Sequence, residues 1–284
     1  MPCSVNSVPS IVKSDLCNSS MGVCSMPKSS LPEFQVENAR VYVYPTKLET
    51  SQAAAREAAS LLRSALAERG TARIIVGTGN SQDDMIAALV KEPDLDWSRV
   101  EVFHMDEYVG MPMEHPASFR LWLKTHLVDI VHSAQANYLA GDAPDFEQEC
   151  ARYADLLHTA PIDICFLGFG ENGHIAFNDP GVADFNDPLA VKRVAMDERC
   201  RRQQVGEGHF PSLEAMPAEA LTLTCPELLR ARHLICTVPD QRKAEAVRNA
   251  LTGPITEACP SSAVRTHPCA AIYLDADSAA LLVP

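Results

Sequence analysis

The run Ala72-Arg73-Ile74-Ile75-Val76, followed at once by Gly77-Thr78-Gly79-Asn80-Ser81, decides the fold. A short apolar run rich in β-branched residues predicts a buried strand, and the Gly- and Ser-rich segment predicts the loop that leaves it. A helical pattern then runs from about Gln82 to Val90. Strand, loop and helix in this order are the repeating unit of a parallel α/β sheet.

The same unit recurs on both sides of this stretch. The other predicted strands are 41–44, 100–105, 162–167, 234–238 and 270–274. The other predicted helices are 52–68, 118–128, 146–157 and 241–251. Thr50 or Ser51 is the predicted N-cap of the first helix, and Gly70 is its predicted stop. We therefore expect an α/β fold with a parallel sheet and helices on both faces.

Composition narrows the classes of partner. The 284 residues carry a net charge of −13, and no basic stripe is visible. An acidic chain repels nucleic acid and anionic membranes, so we expect neither as a partner. There is no apolar run near the roughly 18 residues needed to span a bilayer. An anionic substrate would need a local cluster of donors to overcome this charge.

The cysteines and the N-terminal residues indicate the cellular compartment of the protein. None of the ten cysteines stands in a C-x-x-C pair, which disfavours zinc and favours free thiols in the cytoplasm. Residues 1–35 are rich in Ser, Pro and Cys and are predicted to be a disordered extension of a single domain over 36–284. A targeting peptide is disfavoured, because no apolar core follows a basic start and Asp15 interrupts the segment.

Three predicted loops leave the carboxyl ends of strands, where open parallel sheets bind ligands. In 77–81, small residues, the hydroxyl of Ser81 and the start of the next helix could hold a phosphate, although an ordinary turn has similar composition. Asp106 and Glu107 follow a strand directly. Partial burial beside a second acid would raise the pKa of such a carboxyl and suit it to proton abstraction, although a solvated or capping acid pair is equally compatible.

The third loop is Gly168-Phe-Gly-Glu-Asn-Gly-His-Ile-Ala-Phe-Asn-Asp-Pro180. Its three glycines precede His174, which has acids on either side. A histidine held by hydrogen-bond partners can shuttle protons near neutral pH, although a lone histidine is more often structural. A metal held by Asp106, His174 and Asp179 is disfavoured because no dense ligand motif accompanies them.

Three strings make the chain similar to a known family. Phe103-His-Met-Asp-Glu-Tyr-Val-Gly-Met-Pro112, Glu114-His-Pro-Ala-Ser118 and Gly170-Glu-Asn-Gly-His-Ile-Ala-Phe-Asn-Asp-Pro180 resemble signatures of the glucosamine-6-phosphate deaminase/isomerase family, in the same order. The resemblance runs from about Val41 to the C-terminus. It implies a Rossmann-like fold and a hydrolase that isomerises and deaminates glucosamine 6-phosphate. It also implies no metal or organic cofactor, and it is compatible with a homo-oligomer.

The resemblance implies catalytic roles for four residues. Asp106 would move a proton from C2 to C1 of the opened sugar, and His174 would assist ring opening. Asn172 and Asp179 stand where the family has the carboxylates that orient this histidine. The family pattern has Asp and Glu there, so Asn172 is a departure, and Glu171 is a candidate to compensate. An asparagine can accept a hydrogen bond from the imidazole but cannot stabilise its cation as a carboxylate does.

The resemblance also implies substrate-binding roles. Gly79, Asn80 and Ser81 match the phosphate-binding loop of the family. Lys243 matches a phosphate-binding lysine at a helix start, and Glu107 is assigned to substrate binding. A family phosphate arginine falls near Gln204. The candidates to replace it are Arg199, Arg201 and Arg202.

Two other functions compete. A 6-phosphogluconolactonase-like hydrolase has a similar fold, an Asp-Glu pair after a strand and a Gly-x-x-Gly-His loop. The residues that follow His174 and Asp106-Glu107 here match the deaminase pattern instead. A non-catalytic sugar-phosphate sensor would explain Asn172, but the presence of both Asp106 and His174 argues against it.

Overall fold

A mostly parallel eight-stranded sheet forms the centre of the structure, a computed structural model that describes residues 33–282. Eleven strands occur in these residues. They are β1 (Glu33–Val36), β2 (Ala39–Tyr44), β3 (Ala72–Val76), β4 (Val100–His104), β5 (Asp106–Tyr108), β6 (Gln135–Asn137), β7 (Ile164–Leu167), β8 (Val191–Ala195), β9 (Glu219–Leu223), β10 (His233–Val238) and β11 (Ala270–Asp275).

The helices connect these strands. The α-helices of the described residues are α1 (Lys47–Arg69), α2 (Asp83–Leu89), α3 (Phe119–Leu123), α4 (Asp129–Val131), α5 (Phe146–His158), α6 (Glu198–Gly206), α7 (Cys225–Leu228) and α8 (Ala244–Thr252). A π-helical turn, Lys124–Val128, joins α3 to α4, and 3-10 turns cover Trp97–Arg99, Gln241–Lys243 and Pro260–Thr266.

The large sheet has the strand order β1-β2-β11-β10-β7-β3-β4-β6. Only the β1–β2 pair is antiparallel, and every other neighbouring pair in this sheet is parallel. Apolar residues alternate between its faces: in β3, Ile75 packs in one core cluster while Ile74 and Val76 pack in the other. The predicted parallel α/β fold with two covered faces is confirmed.

A second sheet was not predicted. It has three antiparallel strands in the order β5-β9-β8, and β5 begins only one residue after β4 ends. A third apolar cluster, which includes Tyr108, Phe177 and Phe210, packs beside it. The chain therefore leaves the large sheet and enters the small one at Met105, immediately before Asp106.

The start of α1 differs from the prediction. Its N-cap is Thr46, whose hydroxyl accepts a hydrogen bond from the backbone N–H of Glu49 and donates one to the Glu49 carboxylate. The sequence Thr46-Lys-Leu-Glu49 has the residue pattern of a capping box, and the observed N-cap lies four residues before Thr50. Thr50 and Ser51 are buried inside the helix. Gly70 ends the helix with φ +81°, as predicted.

The predicted extension, residues 1–35, lies outside the described residues except at its end. Residues 33–35 belong to β1, where Phe34 and Val36 point to the same side and pack against the core. The alternation of exposed and half-buried positions in Glu33–Val36 is the pattern of an edge strand with one face on the core.

The described cysteines are free thiols. Cys165 and Cys236 are fully buried in β7 and β10, as their apolar neighbours predicted. None of the helices within residues 33–282 combines the length and the apolar composition that a membrane span requires.

Candidate active site

The site lies where the order of the strands reverses. From β3 the chain proceeds outward to β4 and β6, then returns to β7 on the other side of β3 and continues to β10 and β11. The loops after β3 and β7 therefore diverge and leave a crevice at the carboxyl ends, which is the position where such sheets bind ligands.

A cavity with about 800 Å³ of space, open to solvent, occupies this crevice. Among its polar lining residues are Lys47, Asn80, Ser81, Asp106, His174, Gln203, Gln204, Glu207, Asp240, Arg242 and Lys243. The structure thus brings the loop at 79–81, Asp106, His174 and Lys243 to one cavity, whereas Glu107, Asn172 and Asp179 are not among the residues that line it.

Asp106 is held by its own backbone. Its carbonyl oxygen accepts a hydrogen bond from Nδ1 of the fully buried His104, at 2.8 Å. The other ring nitrogen of His104 accepts the backbone N–H of Leu139, also at 2.8 Å, so the tautomer is fixed. Burial lowers the pKa of His104 to about 3, which keeps the ring neutral. The first residue of β5 therefore has a rigid backbone.

The carboxyl of Asp106 is poised to hold or release a proton. It is 7% exposed, and burial together with the charge of Glu107 raises its pKa well above the ordinary value. A carboxyl of this kind can act as a base at neutral pH and still retain the proton it has taken.

Glu107 points to the protein interior instead of the cavity. It is fully buried, and its carboxylate accepts hydrogen bonds from the Ser118 hydroxyl and from the backbone N–H groups of Tyr108, Phe119 and Arg120. The Arg120 guanidinium completes this shell at 3.3 Å. The carboxylate thus fixes the start of α3 beside β5, and its lone pairs are occupied by the protein.

His174 and Asp179 form a close pair. Nδ1 of His174 lies 3.0 Å from Oδ1 of Asp179. The angle at the Nδ1 hydrogen departs too far from linear for a well-formed hydrogen bond. Burial alone would raise the pKa of the Asp179 carboxyl, but the contacts from His174, Asn172 and the Asp197 backbone outweigh it and lower that pKa. Asp179 is therefore ionised next to the imidazole.

Asn172 contacts the carboxylate and not the ring. Its Nδ2 donates to Oδ1 of Asp179 at 2.9 Å and lies 3.5 Å from Oδ1 of Asp197. Its oxygen accepts the backbone N–H of His174 at 3.0 Å. The two carboxylates turn the amide nitrogen towards them and leave the oxygen facing the backbone, so this side chain does not accept a hydrogen bond from the imidazole.

Glu171 does not compensate for the change at 172. Its backbone N–H donates to Gln203, and its carboxylate lies near Arg242 at 3.9 Å. The imidazole of His174 instead lies flat over Gly170, where a Cβ would come within 2.2 Å of the ring. Position 170 therefore admits only glycine while the ring keeps this place.

The loop after β3 turns its small residues towards the cavity. Gly79 has φ +96°, a conformation that glycine adopts without strain, and Asn80 and Ser81 follow it at the cavity wall. Gln82 begins α2 with no side-chain cap, and its amide donates to the Leu167 carbonyl across the crevice. The loop is thereby tied to β7.

Three cations face this loop. Lys243 is buried at the start of α8, and burial lowers the pKa of its ammonium against the raising effect of Glu207. Arg242 lies beside it, and Lys47 donates to the Asn80 carbonyl at 3.1 Å. Sequence reasoning identified Lys243 and missed the other two. Lys47 follows the carboxyl end of the parallel strand β2, so the rule that selected the other loops could have selected it.

Helix α6 closes another side of the cavity with Gln203, Gln204 and Glu207. The three arginines expected to replace a phosphate arginine near Gln204 do not line it. Arg199 pairs with Glu245 and Arg202 with Glu198 on the surface, while Arg201 bonds the Leu213 and Met216 carbonyls. In a helix, residues three or four apart share a face, so the cavity face at 203, 204 and 207 turns 201 and 202 away.

A metal at this site is disfavoured by the chemistry of the candidate ligands. His174, Asp179 and Cys200 bring ligand atoms within 4.8 Å of one another, and Asp106 is not part of this group. Asp179 already accepts from Asn172 and Asp197. Burial and nearby carboxylates raise the pKa of the Cys200 thiol well above its usual range.

Comparison with known proteins identifies the family. Residues 45–273 match the model of glucosamine-6-phosphate isomerases/6-phosphogluconolactonase. The chain belongs to this family. It is 32% identical over 231 residues to a glucosamine-6-phosphate deaminase from an Exiguobacterium species, covering 81% of this chain and 89% of the relative. A glucosamine-6-phosphate deaminase from Bacillus thuringiensis is 34% identical over 206 residues, covering 72% and 76%.

A solved structure of the family has the same fold. It is a monomeric glucosamine-6-phosphate deaminase, 29% identical, which superposes with a TM-score of 0.77 over 85% of this chain and 99% of that one. The Rossmann-like fold that the sequence resemblance implied is thereby confirmed.

Proposed function

We propose that this family member converts glucosamine 6-phosphate to fructose 6-phosphate and ammonia. The observation that carries the proposal is the meeting, in one cavity, of a buried carboxyl with a raised pKa, a histidine paired to an ionised aspartate, and a small-residue loop faced by cations. Relatives with the name of this activity support the choice of substrate.

The proposed chemistry begins with ring opening. His174 shuttles a proton to the ring oxygen as the C1 hydroxyl loses one, which gives the open-chain aldehyde. Asp179 orients the imidazole and stabilises its cation, while Asn172 holds Asp179 in place with its amide. A positioned imidazole of this kind contributes typically about 10²–10⁴-fold to such a proton transfer.

Asp106 then transfers the proton between carbons. It removes the proton from C2 of the open sugar while the C1 oxygen takes up the proton that the substrate ammonium releases, which leaves an enolamine. It then returns the first proton to C1 to give a protonated ketimine at C2. Water adds to the ketimine and ammonia leaves, so water enters only in the last step. Gly79, Asn80, Ser81 and Lys243 bind the phosphate and fix C1 and C2 beside the base.

Ammonia release from glucosamine 6-phosphate by the purified protein tests the proposal. Fructose 6-phosphate is followed in the same tube, and 6-phosphogluconolactone is supplied in a parallel tube. We expect ammonia and fructose 6-phosphate in equal amounts and no lactone hydrolysis. A folded protein that hydrolyses the lactone and releases no ammonia would be a lactonase, and one that binds either substrate without turnover would be a sensor.

The cofactor requirement, the cellular location and the oligomeric state complete the proposed function. The steps above need only side chains, so we propose that no cofactor takes part. We propose a cytoplasmic location, which the free thiols of Cys165 and Cys236 support. A homo-oligomer remains a prediction, and the solved relative is a monomer.

A further inference from the structure

The phosphate end of the cavity has an unusual distribution of charge. Gln204, near where the family resemblance expects an arginine, is uncharged and accepts a hydrogen bond from the Tyr108 hydroxyl at 3.1 Å. The cations that line the cavity instead come from two other places: Lys47 after β2, and Arg242 with Lys243 after β10.

The donors of Arg242 and Lys243 are little used by the protein. The closest carboxylate to the Lys243 ammonium among the described residues is Glu207, at 4.0 Å. Arg242 reaches Asp240 at 3.5 Å and Glu171 and Glu207 at 3.9 Å. Charge-assisted hydrogen bonds normally measure about 2.7–2.9 Å. These cations are therefore held near acids without the short contacts that would satisfy them.

The backbone before them is strained. Asp240 has φ +88°, which a residue with a side chain rarely adopts. The strained N–H is held by both oxygens of Asp275 at 3.0 and 3.2 Å, and Oδ1 of Asp240 caps the turn that carries Arg242. Strain of this kind persists where the surrounding structure enforces it, and it often marks a ligand site. Here it directs Arg242 and Lys243 to the cavity.

We propose that Arg242, assisted by Lys47, binds the phosphate of the substrate and supplies the charge that Gln204 lacks. This inference rests on the proposed function, because it assigns residues to the phosphate end of the same cavity. A planar guanidinium can donate two parallel hydrogen bonds to a phosphate, and Lys243 and Lys47 add charge from two sides. The substrate class is thus a phosphate monoester in its dianionic form.

The negative charge of Glu207 disfavours the binding of phosphate in this arrangement. Burial would raise the pKa of its carboxyl, but contacts with His209, Lys243 and Gln203 lower it, so the group is negative. It balances Lys243 and Arg242 while the cavity is empty and repels an entering phosphate. Removal of its charge should therefore strengthen binding, whereas removal of the Arg242 charge should weaken it.

Calorimetric titration of the full chain with inorganic phosphate, and of the same variants carrying Asp106→Asn with glucosamine 6-phosphate so that the ligand is not consumed, tests the inference. We expect Arg242→Ala to raise the Kd for both ligands about tenfold, and Arg242→Lys to restore part of the loss. Lys47→Met should raise the Kd only about threefold, because the Lys47 ammonium already contacts the Asn80 carbonyl and the Asp84 carboxylate. Glu207→Gln should lower the Kd, which is a change opposite in sign.

Arg202→Ala is the matched control, because it removes an arginine of α6 that pairs with Glu198 away from the cavity. Its Kd should equal that of the unaltered protein. An unchanged Kd in Arg242→Ala, or weaker binding in Glu207→Gln, would overturn the inference. These readouts need no turnover, so the inference can fail or succeed independently of deaminase activity. Where turnover is measured, the Arg242 variant should raise KM far more than it lowers kcat.

Discussion

At the scale of the residue, the environment of Asp106 opposes ionisation while the proposed chemistry requires it. Burial and the neighbouring charge of Glu107 raise the pKa of this carboxyl. An acid whose pKa is higher in the folded state than in the unfolded chain weakens folding once the pH exceeds the unfolded value, about 3.9. Activity and stability therefore make opposite demands on this side chain.

The substitution Asp106→Asn should lower activity and raise stability. We expect kcat to fall at least about 10³-fold, because the amide cannot accept the C2 proton. The melting temperature at pH 7 should rise by about 2 °C or more, because the cost of a buried charge is removed. Calorimetry and the ammonia assay measure both. Retained turnover would show that another group is the base. In the unaltered enzyme, the acid limb of kcat/KM should lie above pH 4.

Asn172 invites a second substitution. Asn172→Asp removes the donor to Asp179 and places a third carboxylate beside Asp179 and Asp197. The repulsion among three carboxylates raises their pKa values, so the cluster must take up a proton on folding. Such a penalty is absent at low pH and grows as the pH rises through the range between the unfolded and folded pKa values. We expect the loss of melting temperature, relative to the unaltered protein, to be larger at pH 8 than at pH 5.

The control for this prediction is Asn172→Ala, which loses the same hydrogen bonds and adds no charge. Its loss of melting temperature should be nearly equal at the two pH values. An aspartate variant that is as stable as the asparagine protein at pH 8 would mean that the cluster tolerates a third negative charge, and that the amide has no electrostatic role.

At the scale of the element, helix α6 connects the histidine pair to the cavity wall. Asp197 caps this helix through Oδ1, and its backbone N–H donates to the second oxygen of Asp179 at 3.0 Å. Gln203 and Gln204 lie on the cavity face of the same helix. A substitution at the start of α6 should therefore shift Gln203 and Gln204 in the cavity wall, two helical turns away.

Asp197→Ala should destabilise the protein by about 1 kcal/mol through loss of the cap. It should also raise KM for glucosamine 6-phosphate more than it lowers kcat, because the wall is loosened while Asp106 and His174 remain in place. Asp197→Asn keeps a capping oxygen and should behave like the unaltered protein in denaturant unfolding and in steady-state kinetics. Equal effects of both substitutions would point to the charge of Asp197 instead of its cap.

The elements that sequence predicted best are those with strong local signals. The prediction gave the correct bounds for the buried strand Ala72–Val76 and the correct stop for α1 at Gly70. Both depend on neighbouring residues alone: a run of β-branched residues and a glycine that ends a helix. The start of α1 was misplaced because Thr50 and Ser51 are also good caps, and the capping box to Glu49 was overlooked. Strands β5, β8 and β9 were missed because their pairing is long-range and β5 has only three residues.

The site was predictable to the extent that it depends on strand ends. The loops after β3, β4 and β7 were expected to meet, and residues from all three line the cavity. The direction of each side chain was not predictable: Glu107 and Asp106 are adjacent, yet β-strand alternation sends one inward and the other to the cavity. Arg242 was not predicted as a site residue, because its place in the cavity depends on the strained turn at Asp240.

At the scale of the whole molecule, the ligand site draws on distant parts of the chain. Its lining extends from Lys47 after β2 to Lys243 after β10, although the net charge of the chain is −13. Because the cavity exists only when these strands are assembled, a ligand binds the folded chain and not the unfolded one. Binding should therefore stabilise the entire fold against heat.

Glucosamine 6-phosphate should raise the melting temperature of Asp106→Asn, which is used so that the ligand is not consumed. At about 100 times the Kd the gain is about 2.7 kcal/mol, or roughly 5–10 °C for a chain of this size. Glucosamine without phosphate, and sodium chloride at equal ionic strength, should give little change. A shift of the same size with these controls would indicate that the cavity does not recognise the phosphate.

The connection between β8 and β9 can vary in length and sequence as long as Asp197 is kept to hold Asp179. Residues 196–218 leave and re-enter the small sheet at the paired positions Ala195 and Glu219, and they carry the whole of α6. Because the ends of this segment are adjacent, other lengths and sequences can be inserted at modest entropic cost. The proton-transfer groups and the phosphate loop lie outside it. In evolutionary terms, the part of this segment that follows Asp197 is free to diverge while the two strands that it connects stay the same.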